Sequence, residues 1–209
     1  MSLATFSDLT SAIKSWSDRT DISDALIADM ITLADARIRK DLARNEIRTR
    51  EMESRTDLSV SSGEATLPDD FMAMKAVQAR ESNPVILTYK PISWLNEAYP
   101  DGATATPSFY GIEGDTLYMF PRTTSDIRIV YFSYPEVLSS SNDDNWLLTK
   151  YPDIYLHAGL VELRVYEEND EAMQREISLL TAAFDGLDKS SFGAMYGTGT
   201  TRGASAYAT

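Results

Sequence analysis

Apolar residues recur along the chain with two different periods, and the switches between them divide it into parts. Over residues 5–17, Phe6, Leu9, Ile13 and Trp16 stand three or four apart, the spacing of one helix face, with Thr5 or Ser7 placed to cap it. After a break at "RTD" (19–21), a longer helix is predicted from about Ser23 to Asn45. Ile22, Leu26, Met30 and Leu33 form one stripe, and Ile27, Ile31, Ala34 and Ile38 lie beside it. Together they cover about half of the helix circumference. The first half of this helix is expected to be buried and its charged second half exposed.

Between residues 47 and 135 the period falls towards two, with turn residues at intervals of 8 to 12. "LSVSSGEATLP" reads as strand, Ser-Gly turn, strand. "FMAMKAVQA" and "PVILTYKP" read as strands, and "SFYGIEGDTLYMF" as a hairpin around Glu113-Gly114-Asp115. "DIRIVYFSY" alternates Ile127, Ile129 and Tyr131 with Arg128, Val130 and Phe132. "ISWLNEAYP" is a short helix with Ser93 as its expected cap. The pattern predicts an antiparallel β module, a small sandwich or barrel-like sheet, inserted between helical segments.

Helical spacing returns at about residue 150. Thr149 is the expected cap, and Pro152 in the first turn costs little because its missing N–H would have no partner there. With Ile154 at 0°, Ala158, Val161 and Val165 fall within about 40°, while Leu156, Leu160 and Leu163 fall at about 180° to 240°. Two opposed apolar stripes need two covers. The first can be the domain's own core; the second is either another helix of the chain or a neighbouring subunit. A further helix is expected from about Asp170 to Leu187, marked by Ile177, Leu180 and Phe184, with Gly186 as its stop. The last segment, from Lys189 to Thr209, carries four of the ten glycines, seven Ser or Thr and no acidic residue. The fold class is therefore α+β. Residues 1–46 and 139–188 supply N- and C-terminal helices of one bundle, 47–138 the β module and 189–209 an extended C-terminal arm.

Charge and composition narrow the function. Net charge is −13, with 43 % hydrophobic and 24 % charged residues, as in ordinary folded proteins. That balance argues against general binding of a phosphate backbone, which rests on summed Lys and Arg contacts. The basic residues concentrate in "RIRKDLARNEIRTREMESR" (37–55), seven against four acidic. Such a mixed run reads first as a solvated face laced with ion pairs, and second as a surface for an acidic partner. The chain has no cysteine. Disulfides, thiolate zinc sites and cysteine nucleophiles are excluded. No signal peptide is visible, and no apolar run reaches the roughly 20 residues of a membrane span.

Candidate chemistry is sparse. His157 is the single histidine. Alone it lacks the partners of most metal sites, and neither G-x-S-x-G nor a glycine-rich phosphate loop is present. It reads as structural or interfacial. Asp69-Asp70 and Asp143-Asp144 fall in turns, where they cap and close the chain, and Glu167-Glu168 is a third adjacent pair. A glycosidase instead needs carboxylates on opposite walls of a cleft. Trp94, Tyr99, Phe109, Tyr110 and Tyr118 are able to stack sugars but read first as sheet core. No catalytic residue, metal ligand or cofactor is assigned.

Three stretches nevertheless point to a family. "LADARIRKDL" followed by "REMESRTDLSVSSGEATLPDDFM", the hairpin "YGIEGDTLYMFP", and "NDDNWLLTKYPDIYLHAGLVEL" occur in the order and spacing of the head-to-tail adaptor, or connector, proteins of tailed bacteriophages and gene transfer agents, which the chain resembles. The resemblance implies a non-enzymatic virion protein, made in the cytoplasm of the host bacterium and located at the head–tail interface. It implies a homo-oligomer, a twelve-subunit ring below the portal protein. Such a ring extends the DNA channel and docks a tail terminator, stopper or tail tube protein. DNA passes without specific binding, and no membrane is involved. Within that frame Leu156, Leu160 and Leu163 are the expected subunit interface. Phe192, Met195, Tyr196, Arg202 and Tyr207 are the expected portal-binding contacts of the arm. The rival readings are another tail component, such as a stopper or baseplate protein, and a carbohydrate-binding or glycan-degrading module for host recognition.

Overall fold

The computed structural model describes residues 3–19, 21–80, 84–100 and 102–196, with side chains described up to residue 189. The chain is mixed α and β and divides into two compact units, one formed by residues 1–51 and 135–209 and the other by 52–134.

The first unit is helical. Helix α1 (Phe6–Ser17) is capped by Thr5, whose hydroxyl accepts from the Asp8 N–H. Helix α2 (Asp24–Arg44) is capped in the same way by Ser23. After the β unit come α4 (Trp146–Lys150), α5 (Pro152–Tyr166) and α6 (Asp170–Tyr196). Arg19, just before α2, reaches Glu167 at the end of α5, while Asp35, farther along α2, meets Tyr155 near the start of α5. Helices α2 and α5 therefore run antiparallel. The short turn at 167–169 makes α6 antiparallel to α5 as well, so α2 and α6 run the same way. Ile27, Ile31, Ala34 and Ile38 of α2 are all buried on the side that packs against α5, and α6 covers another side of α5. Each buried isoleucine contributes about 1.5–3 kcal/mol by leaving water. Gly159 lets α1 approach α5: a Cβ there would stand 2.6 Å from Ile13 Cδ1.

The second unit is a two-sheet sandwich. One sheet has the order β1 (Glu53–Leu58), β8 (Ile127–Ser133), β3 (Phe71–Ala79), β4 (Val85–Ile86); the other has β2 (Glu64–Thr66), β7 (Thr116–Phe120), β6 (Phe109–Glu113), β5 (Thr88–Tyr89). Val77 and Ala79 from β3 and Ile127, Ile129 and Tyr131 from β8 pack with Ala65, Leu117, Met119 and Tyr110 of the facing sheet. The alternation in "DIRIVYFSY" thus puts its isoleucines inside. The hairpin β6–β7 turns at Gly114, whose φ of 58° suits a residue without Cβ.

Four local expectations are corrected. "PVILTYKP" is not one strand: buried Leu87 enters the core, and the residues on either side join different sheets. The module is not wholly antiparallel, because β5 and β6 pair in parallel. The intervening chain, which includes α3 (Ile92–Ala98), supplies the crossover that parallel pairing needs. Helix α3 starts after Pro91 with no side-chain cap, so Ser93 lies inside its first turn. Helix α6 passes through Gly186 to Tyr196, and an extended arm therefore does not begin at residue 189. A glycine inside a helix costs only about 1 kcal/mol, and buried Leu180, Phe184 and Leu187 hold the helix on both sides of it.

Candidate functional site

The entry to α4 and α5 carries a closed polar network. Asn145, with extended backbone, caps α4: its Oδ1 accepts from the Leu148 N–H at 2.8 Å, and its carbonyl accepts from Thr149 Oγ1 at 2.9 Å. Thr149 is thus not a cap but lies inside α4, and α5 starts after Tyr151 with no side-chain cap. Its amide nitrogen donates to the Glu136 carbonyl at 2.7 Å and to the Tyr155 hydroxyl at 2.8 Å. Tyr155 has no exposed surface, and its hydroxyl donates to Asp35 Oδ1 at 2.7 Å. Asp35 Oδ2 accepts from the Leu138 N–H at 2.9 Å. Both oxygens of a buried carboxylate are therefore met, as its desolvation requires. Burial pushes the Asp35 carboxyl above the usual carboxylate range, against the opposing bonds from Tyr155 and Leu138. Burial, followed by the Asp35 charge, pushes the Tyr155 phenol well up. The network ties α2, residues 136–138 and the α4–α5 corner into one rigid joint.

His157 belongs to a second joint. Its Nδ1 lies 2.8 Å from Glu176 Oε2, and its ring meets Trp16 edge-on at 6.2 Å between centroids. Glu176 is 2 % exposed, and its Oε1 accepts from Arg175 Nη2 at 2.8 Å. Burial pushes the Glu176 carboxyl up, but the bonds from Arg175 and His157 outweigh it and hold it below the usual range. His157 thus connects α5 with α6 and α1. Among the described residues no group of three or more His, Asp or Glu is arranged to hold a metal ion. None of the described helices is long and apolar enough to cross a membrane.

The leucine stripe of α5 has a cover within its own chain. Leu156, Leu160 and Leu163 are at most 2 % exposed, as buried as Ile154 and Val161 on the opposite side. Helices α1, α2 and α6 of the same unit enclose α5. The assignment of this stripe to a subunit contact is corrected: it is core.

The stretches "LADARIRKDL" and "NWLLTKYPDIYL" thus meet through Asp35, Asn145 and Tyr155 in one buried network. The SU10 adaptor protein model matches residues 4–203, almost the whole chain. The chain belongs to the SU10 adaptor protein family. This is a family of phage head–tail adaptors, so the protein is a structural component of a phage virion. No curated protein matches the chain.

A SU10-family adaptor acts by contact, which directs attention to its exposed apolar side chains. On the helical unit these include Trp16, Leu33, Val165, Tyr166 and Leu179. On the β unit Ile86, Tyr89 and Trp94 are exposed along and beside the edge strands β4 and β5. Trp94 packs edge-on against Phe109, and Lys90 Nζ lies 5.1 Å from its ring centre. Of the aromatics read first as sheet core, Tyr110 is in the sandwich core, whereas Trp94 is exposed. Within the basic run Arg37 pairs with Glu162 at 2.7 Å, Arg39 donates to the Pro135 carbonyl at 2.9 Å, and Glu51 accepts from Lys150 of α4. A groove of about 450 Å³ lies between α2 and α6, with Leu180 and Phe184 in its wall and Arg44, Asp185 and Asp188 among the polar residues lining it. Of the expected arm contacts, Phe192, Met195 and Tyr196 sit on helical backbone of α6, beyond the described side chains. Arg202 and Tyr207 lie outside the described residues. Asp35 and Glu176 were not singled out from sequence. The available signal was an acidic residue set among the buried positions of an apolar helix face.

Proposed function

We propose that this SU10-family adaptor assembles into a closed ring below the portal of the phage head. There it extends the DNA channel and docks the tail terminator, stopper or tail tube protein, without catalysing a reaction. The observation that carries the reading is the family match over residues 4–203. Charge supports it: subunits at −13 each make a strongly acidic ring, which repels DNA phosphates and lets the genome pass without being held. The C-terminal segment is the proposed portal contact. Residues 189–209 carry two basic and no acidic side chains. Phe192, Met195, Tyr196 and Tyr207 supply apolar anchors of the kind enriched at interface hot spots, and Arg202 supplies a bidentate donor.

The test is complementation. Phage lacking this chain should accumulate DNA-filled heads without tails, and the purified full-length protein should restore tail attachment. Normal tailed particles in its absence would refute the role. Removing residues 197–209 should spare the helical unit and weaken sedimentation with portal-bearing heads. Full binding by the truncated chain would move the portal contact elsewhere.

A further inference from the structure

We propose that neighbouring subunits join through the outward face of α2 on one and the outward face of α6 on the next, parallel, with Leu33 against Leu179. The inference rests on the ring reading and names the surfaces that would make it.

The two faces share one spacing. Asp29, Leu33, Ala36 and Lys40 on α2 are separated by steps of four, three and four residues, as are Arg175, Leu179, Ala182 and Gly186 on α6. That is the seam spacing of two helices packed at a shallow angle. All eight residues are exposed, and the two leucines keep 56 % and 43 % of their surface open. A leucine so exposed on each of two helices is apolar surface that the described residues do not cover. Ala36, Ala182 and Gly186 beside the leucines are small, which lets backbones approach. A Cβ on Gly186 would meet nothing within 4 Å, so the seam is open at that end.

Charge selects the occupant and the direction. With Leu33 opposite Leu179, the shared spacing puts Asp29 opposite Arg175 and Lys40 opposite Gly186, next to Asp185. Arg175 gives one nitrogen to Glu176, yet its side chain is 69 % exposed, leaving donors for a second carboxylate. The antiparallel arrangement would instead turn Asp29 towards Asp185 and Lys40 towards Arg175, like charge to like. The parallel sense also follows from the fold. Helices α2 and α6 run the same way within one subunit, and the rotation between neighbours in a ring of many subunits is small. The contact is heterologous, using a different face on each partner, as ring closure requires. A two-fold pairing of α2 on α2 also brings Asp29 to Lys40, but it leaves Leu179 uncovered.

The absence of native cysteine makes the test direct. Full-length Leu33→Cys and Leu179→Cys proteins are prepared singly and as a double variant, and oxidised alone and as a mixture of the two singles. Non-reducing electrophoresis reads the cross-links, and native mass spectrometry reads assembly independently. Both positions are exposed, so neither change disturbs the core. The expected result is a disulfide dimer from the mixture, little from either single variant, and a ladder of multimers from the double variant. Self-linking by Leu33→Cys alone would overturn the heterologous contact in favour of the two-fold one. Assembly without cross-links would overturn the assigned faces and leave the ring standing. A protein that neither assembles nor cross-links would overturn both.

Discussion

Tyr155→Phe isolates one hydroxyl in an otherwise unchanged core. The ring keeps its packing, so the transfer and cavity terms stay small. Two hydrogen bonds are lost: the one donated to Asp35 Oδ1 at 2.7 Å and the one accepted from Asn145 Nδ2 at 2.8 Å. Asn145 retains the Glu136 carbonyl as acceptor, so its nitrogen is not orphaned. Asp35 Oδ1 is the group at risk. Hydrogen bonds to charged groups contribute about 1.5–3 kcal/mol, and a loss of about 2–3 kcal/mol is expected at neutral pH. At about 2–4 °C per kcal/mol for a chain of this size, the melting temperature should fall by roughly 5–10 °C. The assay is thermal unfolding followed by circular dichroism at 222 nm, which reports mainly the helical unit. Acidification sharpens the test. The folded Asp35 pKa lies above its unfolded value, so ionisation costs stability as pH rises through the folded value. Tyr155 offsets that cost by donating to the charged form, and its removal should therefore hurt most where Asp35 is ionised and least below the carboxylate range. A fall of less than about 1 °C, independent of pH, would show that Asp35 does not depend on this donor.

Other outcomes follow from the same contacts. Glu176→Gln should destabilise the protein at neutral pH. Because the folded Glu176 pKa is depressed, its contribution is present above the ordinary carboxylate range and lost as pH falls through the folded value; the variant and parent should converge in acid denaturation curves. Leu160→Ala should cost about 2–5 kcal/mol of subunit stability in urea unfolding, as a core truncation. A variant of normal stability that fails only in assembly would return the α5 stripe to an interface. Gly159→Leu should cost about 1–3 kcal/mol by forcing α1 off α5, with partial rescue by Ile13→Ala; equal stability of all three proteins would show that the helices are not in close contact there.

Where one physical rule governs a segment, its structure was legible in the sequence. "FMAMKAVQA" coincides with β3, and Thr5 and Ser23 cap helices that start one residue later. The hairpin at Gly114 follows from a residue free to adopt positive φ. The sequence was ambiguous where two rules compete or where contacts are long-range. Leu87 breaks an apparent strand because the core needs an apolar side chain between two sheet edges. Gly186 reads as a stop, but tertiary contacts of its neighbours carry α6 onward. The opposed stripes of α5 were equally compatible with an interface and with burial inside a bundle, since periodicity counts faces and does not identify what covers them. Asp35 and Tyr155 are 120 residues apart, and no local pattern pairs them. The candidate interface on α2 and α6 is visible only after burial removes the core leucines and leaves Leu33 and Leu179 exposed.

The role of the protein is decided by where it sits in the particle. Cryo-electron microscopy of the virion neck, at a resolution that separates helices, tests this directly. The expected result is a ring of copies of this chain immediately below the portal, around the DNA channel. Neck density that excludes the chain, or its location at the baseplate, would contradict it.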